Sequence, residues 1–169
     1  VEFDYQSSQC LLSGYTPVGS LTLLVVAKFT SVTSSDPYNT LISCHLTGTP
    51  DGGFILHDYY DGGMAGLLNG QTGVGGSWVS GMLHQHSTPL DTNWHVYGLV
   101  VGATETKLIL DSVVHTDSSH GAITAGNPLR LAHDAGTSFF DGQIAEVVLW
   151  GGDIGSGQLA AEIAALQSK

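Results

Sequence analysis

The sequence has 169 residues, with 4 Lys and Arg against 15 Asp and Glu, a formal net charge of -11, only 11% charged residues and 23 Gly. A chain of this length fits one domain with its own core, and its acidity excludes phosphate backbones and anionic lipid as partners, so no nucleic-acid binding is expected. No apolar run reaches the roughly 20 residues of a membrane span; the longest candidate, LTLLVVAKF, is broken by Lys28, so no membrane insertion is expected.

The first residue is Val1, which reads as a processed form or an excised domain. Periodicity and turn chemistry predict strands along nearly the whole chain. In order they fall at 20–30 (SLTLLVVAKFT), 40–46 (TLISCHL), 53–59 (GFILHDY), 64–69 (MAGLLN), 78–85 (WVSGMLHQ), 94–102 (WHVYGLVVG), 106–111 (TKLILD), 129–133 (LRLAH) and 142–150 (GQIAEVVLW). Between them, SSDPYN, GTPDGG, YDGG, TGVGG, STPLDTN, DSSHGAITAGNP and HDAGTS supply the Gly, Asn, Asp and Pro of turns. LTLLVVA and IAEVVLW are apolar on both faces and belong in the middle of stacked layers, whereas TKLILD alternates and is expected to be half exposed. Two packed antiparallel sheets follow, an all-β fold, and no internal repeat points to a propeller or solenoid.

Only the tail is predicted helical. Ser156 is the expected cap, and Leu159, Ile163 and Leu166 recur on one face of GQLAAEIAALQ. So short a helix is marginal alone and is expected to cover one edge or end of a sheet. Trp94, Tyr97 and Trp150, set among aliphatics, read as core. Cys10 and Cys44 are consistent with one bridge or with two buried thiols, and the position of Cys44 inside TLISCHL favours the thiols.

The order of WHVYGLVV, TKLILDSVV, NPLRLA, FDGQIAEVVLW and the closing helix at GSGQLAAEIAAL resembles the laminin-G-like branch of the concanavalin A-like lectin/glucanase superfamily. The segments that carry it are Trp94 and His95, Leu108 to Asp111, Pro128 to Leu131, Phe140 to Val147, and Ser156 onward. The match runs over 21–169, within a single domain expected to span 1–169. Ser112 departs from the family pattern, where the hairpin usually has Gly, as do Ala132 and His133 where a Gly usually follows the Arg strand. The resemblance implies a two-sheet antiparallel jelly-roll sandwich with a concave sheet and a loop-built rim. It also implies binding of sugars or proteins, often with calcium, or in some branches polysaccharide cleavage; fold alone does not choose among these.

The residues argue against an enzyme. Retaining glycosidases need two carboxylates roughly 5 to 5.5 Å apart, and the four glutamates, Glu2, Glu105, Glu146 and Glu162, form no Glu-x-Asp-x-x-Glu pattern. Glu146 lies among apolar residues and must be paired there, and a structural pair with Arg130 is preferred to a catalytic acid. GVGG at 73–76 lacks the Lys and helix of a phosphate loop and reads as a turn.

Sugar sites join an aromatic platform to polar donors and acceptors. The loop and strand-end residues of that kind are Tyr38, Tyr59, Tyr60, Trp78, His84 and His86. Tyr59 and Tyr60 point to opposite faces, so at most one belongs to any single site, while His84 and His86 share one side of a strand without an assignable third metal ligand. Asp58, Asp61 and Asp134, in glycine-rich loops, are the candidate calcium ligands, although no calcium loop of fixed spacing appears. The expectation is a non-catalytic, lectin-like carbohydrate-binding or adhesion module of an extracellular or virion-surface protein, whose partner is a glycan or surface polysaccharide. The alternative is a structural module of a phage tail or capsid whose partner is a protein.

Overall fold

The computed structural model describes residues 1–3, 10–32, 38–46, 49–59, 66–74, 77–78, 84–118, 123–124, 127–133 and 139–169; at Tyr38, Tyr59, Trp78, His84 and His86 it describes the backbone. The strands are β1 (Glu2–Phe3), β2 (Leu11–Leu12), β3 (Leu21–Phe29), β4 (Tyr38–Leu46), β5 (Thr49–Tyr59), β6 (Leu67–Val74), β7 (Ser77–Trp78), β8 (His84–Pro89), β9 (His95–Val101), β10 (Glu105–Leu110), β11 (Val113–Ser118), β12 (Arg130–Leu131) and β13 (Gly142–Trp150). One helix follows, α1 (Gly155–Gln167). The first sheet has the order β1-β13-β3-β9-β10-β11, and the second has β2-β12-β4-β5-β6-β7 with β8 also paired to β6. The paired strands run antiparallel, as in β13 with β3 and β4 with β5. This is the jelly-roll sandwich that the sequence predicts.

Alternation along the strands fills the space between the sheets. Leu21, Leu23, Val25, Ala27 and Phe29 of β3 meet Ile42, Cys44, Phe54, Leu56 and Leu68 of the second sheet in one buried cluster. Gly70 of β6 stands where a Cβ would lie 3.0 Å from Leu99 and 3.1 Å from Leu108 of the opposite sheet, so the two layers approach most closely through a residue without a side chain. The rings of Phe29, Tyr97 and Phe140 add edge-to-face contacts at 5.1 and 5.5 Å.

The other face of the first sheet is apolar as well. Leu24, Val96, Val100 and Ile109 form a second buried cluster with Leu159, Ile163 and Leu166 of α1. The helix therefore lies on the face of the sheet, not along an edge or end. With it in place β10 is buried along almost its whole length, and the half-exposed strand expected from TKLILD is not found.

Ser156 does not cap α1. The flanking residue is Ile154, with no side-chain cap bond, and Asp153 accepts the Gly155 N–H through Oδ1 at 2.9 Å. Buried Thr22 holds the preceding turn, donating to the Gly152 carbonyl at 2.8 Å and accepting the Ile154 N–H at 3.3 Å. Lys107 adds ion pairs to Glu105 at 2.6 Å and Asp153 at 3.2 Å.

Two irregularities correct the sequence reading. A β-bulge between Ile144 and Glu146 shifts the phase of β13, so Ile144 faces the interior while Val148 and Trp150 pack on the helix side. Glu146 follows the second set and pairs with Lys169, whose Nζ lies 2.6 and 2.8 Å from its oxygens. The expected Arg130–Glu146 pair does not form, and Arg130 donates instead to the His45 carbonyl at 2.8 Å. Trp94, expected in the core, is 46% exposed, because β9 begins its pairing only at His95.

The position where the hairpin pattern has Gly, Ser112, is not left-handed; Asp111, one residue before it, takes that conformation at φ 53. Ala132 likewise adopts φ 63 and keeps its N–H on the Leu41 carbonyl at 2.9 Å. Of the two cysteines, Cys44 is a buried thiol, as expected, and its pKa is pushed up to about 11 by burial, with Arg130 opposing; Cys10 is exposed, and the two are not bridged. Within the described residues no helix is long and apolar enough to cross a membrane.

Because α1 has little reason to fold by itself, its docking face should govern stability. Ile163→Ala is expected to lower the unfolding free energy by about 2–4 kcal/mol in urea denaturation, whereas the exposed Gln158→Ala should change it by less than about 0.5 kcal/mol. Equal effects would mean that the helix is not packed as described.

Candidate functional site

The second sheet collects most of the residues that the sequence singles out. Register pairs Tyr38 with Tyr59, Tyr59 with Leu67, and Leu67 with Pro89, which gathers the two tyrosines and the end of β8 at one end of the sheet. Gly70 pairs with His84, so HQH lies beside the middle of β6. Trp78 pairs with Gly73. Six residues of β6 separate Leu67 from Gly73, about 20 Å at the rise of a strand. Tyr59 and Trp78 therefore belong to opposite ends and do not share one small-ligand site. Tyr60, Asp61 and Asp134 lie outside the described residues.

Asp58 is not in a loop. It stands on β5 and continues the inward alternation of Phe54 and Leu56, opposite Asn39 and Leu68. It is buried, and its Oδ1 accepts the N–H of Gly66, a residue at φ +77 whose carbonyl receives the Leu90 N–H at 2.6 Å. Burial pushes its carboxyl up to about 6 against the opposing Gly66 bond. The interior hydroxyl of Tyr97 is pushed above its ordinary range by burial first, then by the charges of Asp111, Asp91 and Asp58. Asp58 thus holds the turn entering β6 from within a strand, whereas the sequence reading placed it in a loop as a candidate calcium ligand.

Sequence reasoning passed over the opposite face of the same strands. Thr40, Ser43, His45, Ile55 and His57 alternate with the core residues, and all five are buried, His57 at 1% exposure. Ser43 donates to the His133 carbonyl at 2.7 Å, and the His133 ring stacks on Phe139 at 4.5 Å. Burial, with the nearby charge of His45, pulls the His57 imidazole down to about 3 despite a bond at the Asp58 backbone, so the ring stays neutral through the physiological range. The signal for this row was present in the period-2 spacing of His45, His57 and their neighbours, but it resembled ordinary polar alternation. Among the described residues no group of three or more His, Cys, Asp or Glu is arranged to hold a metal ion.

No family model matches the sequence, and no curated protein is similar to it in sequence. Solved structures match its fold. The CBM40 of the Ruminococcus gnavus IT-sialidase, bound to α2,3-sialyllactose, superposes with a TM-score of 0.63 at 15% identity over 87% of this chain and 83% of that one. Domain 4 of an extracellular arabinanase from Geobacillus stearothermophilus, with arabinotriose, gives 0.63 at 15% identity over 98% and 74%. Domains LG4-5 of the mouse laminin α1 chain give 0.61 at 14% identity over 83% and 37%. The fold is that of the concanavalin A-like sandwiches, as the resemblance implied.

The buried Asp58 carboxyl makes stability depend on pH. With a folded pKa near 6 against an unfolded value of 3.8, the native state holds the proton more tightly, so stability is greatest below about pH 4 and falls as pH rises toward 6. Asp58→Asn retains an acceptor for Gly66 and removes the titration. Relative to wild type, its unfolding free energy should improve by about 1–3 kcal/mol between pH 3.5 and 7 in urea melts. A difference that stays constant with pH would place Asp58 in a polar, solvated setting instead.

Proposed function

We propose that this chain is a non-catalytic, lectin-like carbohydrate-binding module that works outside the cell or on a virion surface. The supporting observation is the fold itself, shared with binding modules whose structures contain sialyllactose and arabinotriose. The glutamates add weight: Glu105 is paired with Lys107 and Glu146 with Lys169, a neutralisation that suits structural carboxylates better than a general acid and its partner. A net charge of -11 favours an uncharged glycan over an anionic one.

A protein partner is the second reading. Leu11, Leu12, Tyr15 and Val18 are exposed on and beside β2, the edge strand of the second sheet. An exposed apolar edge of this kind suits an adhesion or assembly contact, as in a phage tail or capsid.

A glycan array, run once with calcium and once with chelator, separates the two. Retention of a defined glycan class is expected, and a requirement for calcium would bring Asp61 and Asp134 into the site. If the contact lies at an end of the second sheet, retention should fall in Tyr59→Ala or in Trp78→Ala but not in both, given their separation along β6. Silence from folded protein in both conditions, with no sugar bound in solution either, would overturn the glycan reading in favour of a protein partner.

A further inference from the structure

A cavity with a polar rim lies on the first sheet, away from Tyr38, Tyr59 and HQH. It is a cleft of about 540 Å³ between the C-terminal end of α1 and the start of β9, within the size range of small-ligand pockets. Val26, Val96 and Ala145 form its floor, Leu166 and Gln167 the helix wall, and Trp94 the opposite wall. Glu146 and Lys169, joined at 2.6 Å, stand at its polar rim.

The chemistry of this cleft selects among ligands. Each carboxylate around it already has a side-chain partner. His95 lies between Asp111, 2.6 Å from Nδ1, and Asp91, 2.9 Å from Nε2, and it donates to both only when the imidazole carries two protons. Burial lowers the pKa of His95, but the bonds and charges of Asp111 and Asp91 outweigh it and leave the pKa above the ordinary value. Asp111 also accepts the Val96 N–H at 3.0 Å, which fixes this wall to the strand. Glu146 has Lys169, and the ammonium of Lys28 lies 5.4 Å from the centroid of the Trp94 ring without lining the cleft. A cationic ligand finds its carboxylates occupied, and an anionic one meets the overall negative charge.

What remains is an indole surface turned to a cavity, beside an amide and a carboxylate–ammonium pair. A pyranose complements that set. Its C–H face covers the indole, and two neighbouring hydroxyls meet one acceptor and one donor held side by side by Glu146 and Lys169. We propose that this cleft is a binding site for a neutral pyranose residue, with Trp94 as its platform. The proposal deepens the glycan reading and rests on it in part, but it places the contact on the sheet that carries the helix.

The test titrates the ¹⁵N-labelled full chain with methyl glycosides of glucose, galactose, mannose and N-acetylglucosamine, following the three tryptophan indole N–H signals, with Trp94 assigned by Trp94→Phe. A saturable shift of the Trp94 signal is expected for at least one pyranoside. Trp94→Ala and Glu146→Gln should each weaken that binding about tenfold or more while leaving Tm within a few degrees of wild type. If no pyranoside moves the Trp94 signal, or if both variants bind as wild type does, the proposal fails. Array retention that survives in Trp94→Ala overturns the cleft and leaves the glycan reading standing. A silent array with a saturable Trp94 shift supports the cleft and confines recognition to single sugar residues.

Discussion

The fold depends on one constraint: the first sheet is apolar on both faces. Leu23, Val25 and Leu99 fill the interior while Leu24, Val96, Val100 and Ile109 point the other way. A sandwich supplies only one cover for such a sheet, and the second face stays exposed until something else lies on it. The tail is that cover. Its three buried side chains recur at helical spacing, and its approach is set by Thr22 and Asp153, which hold the turn between β13 and the helix.

Covering this sheet also decides where ligands have access. The helix covers much of the outer face of the first sheet, and clefts remain at its C-terminal end beside Trp94 and along its side toward β10 and β11. In the second sheet, Ser43, Ile55 and His57 are buried on one face, as are Cys44, Phe54 and Leu56 on the other. A neutral His57 fits that closure, because a charged imidazolium there would have to be paired. Sheet ends, the exposed edge at β2 and the clefts beside the helix are therefore places where described side chains and backbone remain approachable.

Much of this was legible because strand and helix periods differ. The long strands β3, β9 and β13 and the helix are found within a residue or two of the predicted spans, since each carries many apolar residues in phase. The short strands β1 and β2 have too few residues to show a period, whereas β12 falls inside the strand predicted at 129–133. β11, with Val113 and Val114 exposed and His115 to Ser118 polar, looks like a turn until its partner β10 is known. Glu146 was misplaced because a bulge reverses the phase of β13 without any Gly or Pro to announce it, and Trp94 because neighbouring aliphatics indicate a core strand but not where pairing starts. Asp58 sits in a glycine-rich stretch that resembles a ligand loop, and only the register with Asn39 and Leu68 shows it to be interior.

The distribution of positive charge gives the molecule its preference for neutral partners. The sequence has four Lys and Arg, and each has a local task. Lys107 secures the turn before the helix, Arg130 holds the His45 carbonyl, Lys28 covers Trp94 and Lys169 neutralises Glu146. Lys107 and Lys169 are held by carboxylates, and the surplus of negative over positive side chains sets the long-range field of the molecule. Attraction at long range is thus unavailable for anionic glycans, and recognition falls to short-range complementarity, in which an aromatic face and paired hydroxyl partners matter most. That is the kind of surface the Trp94 cleft presents.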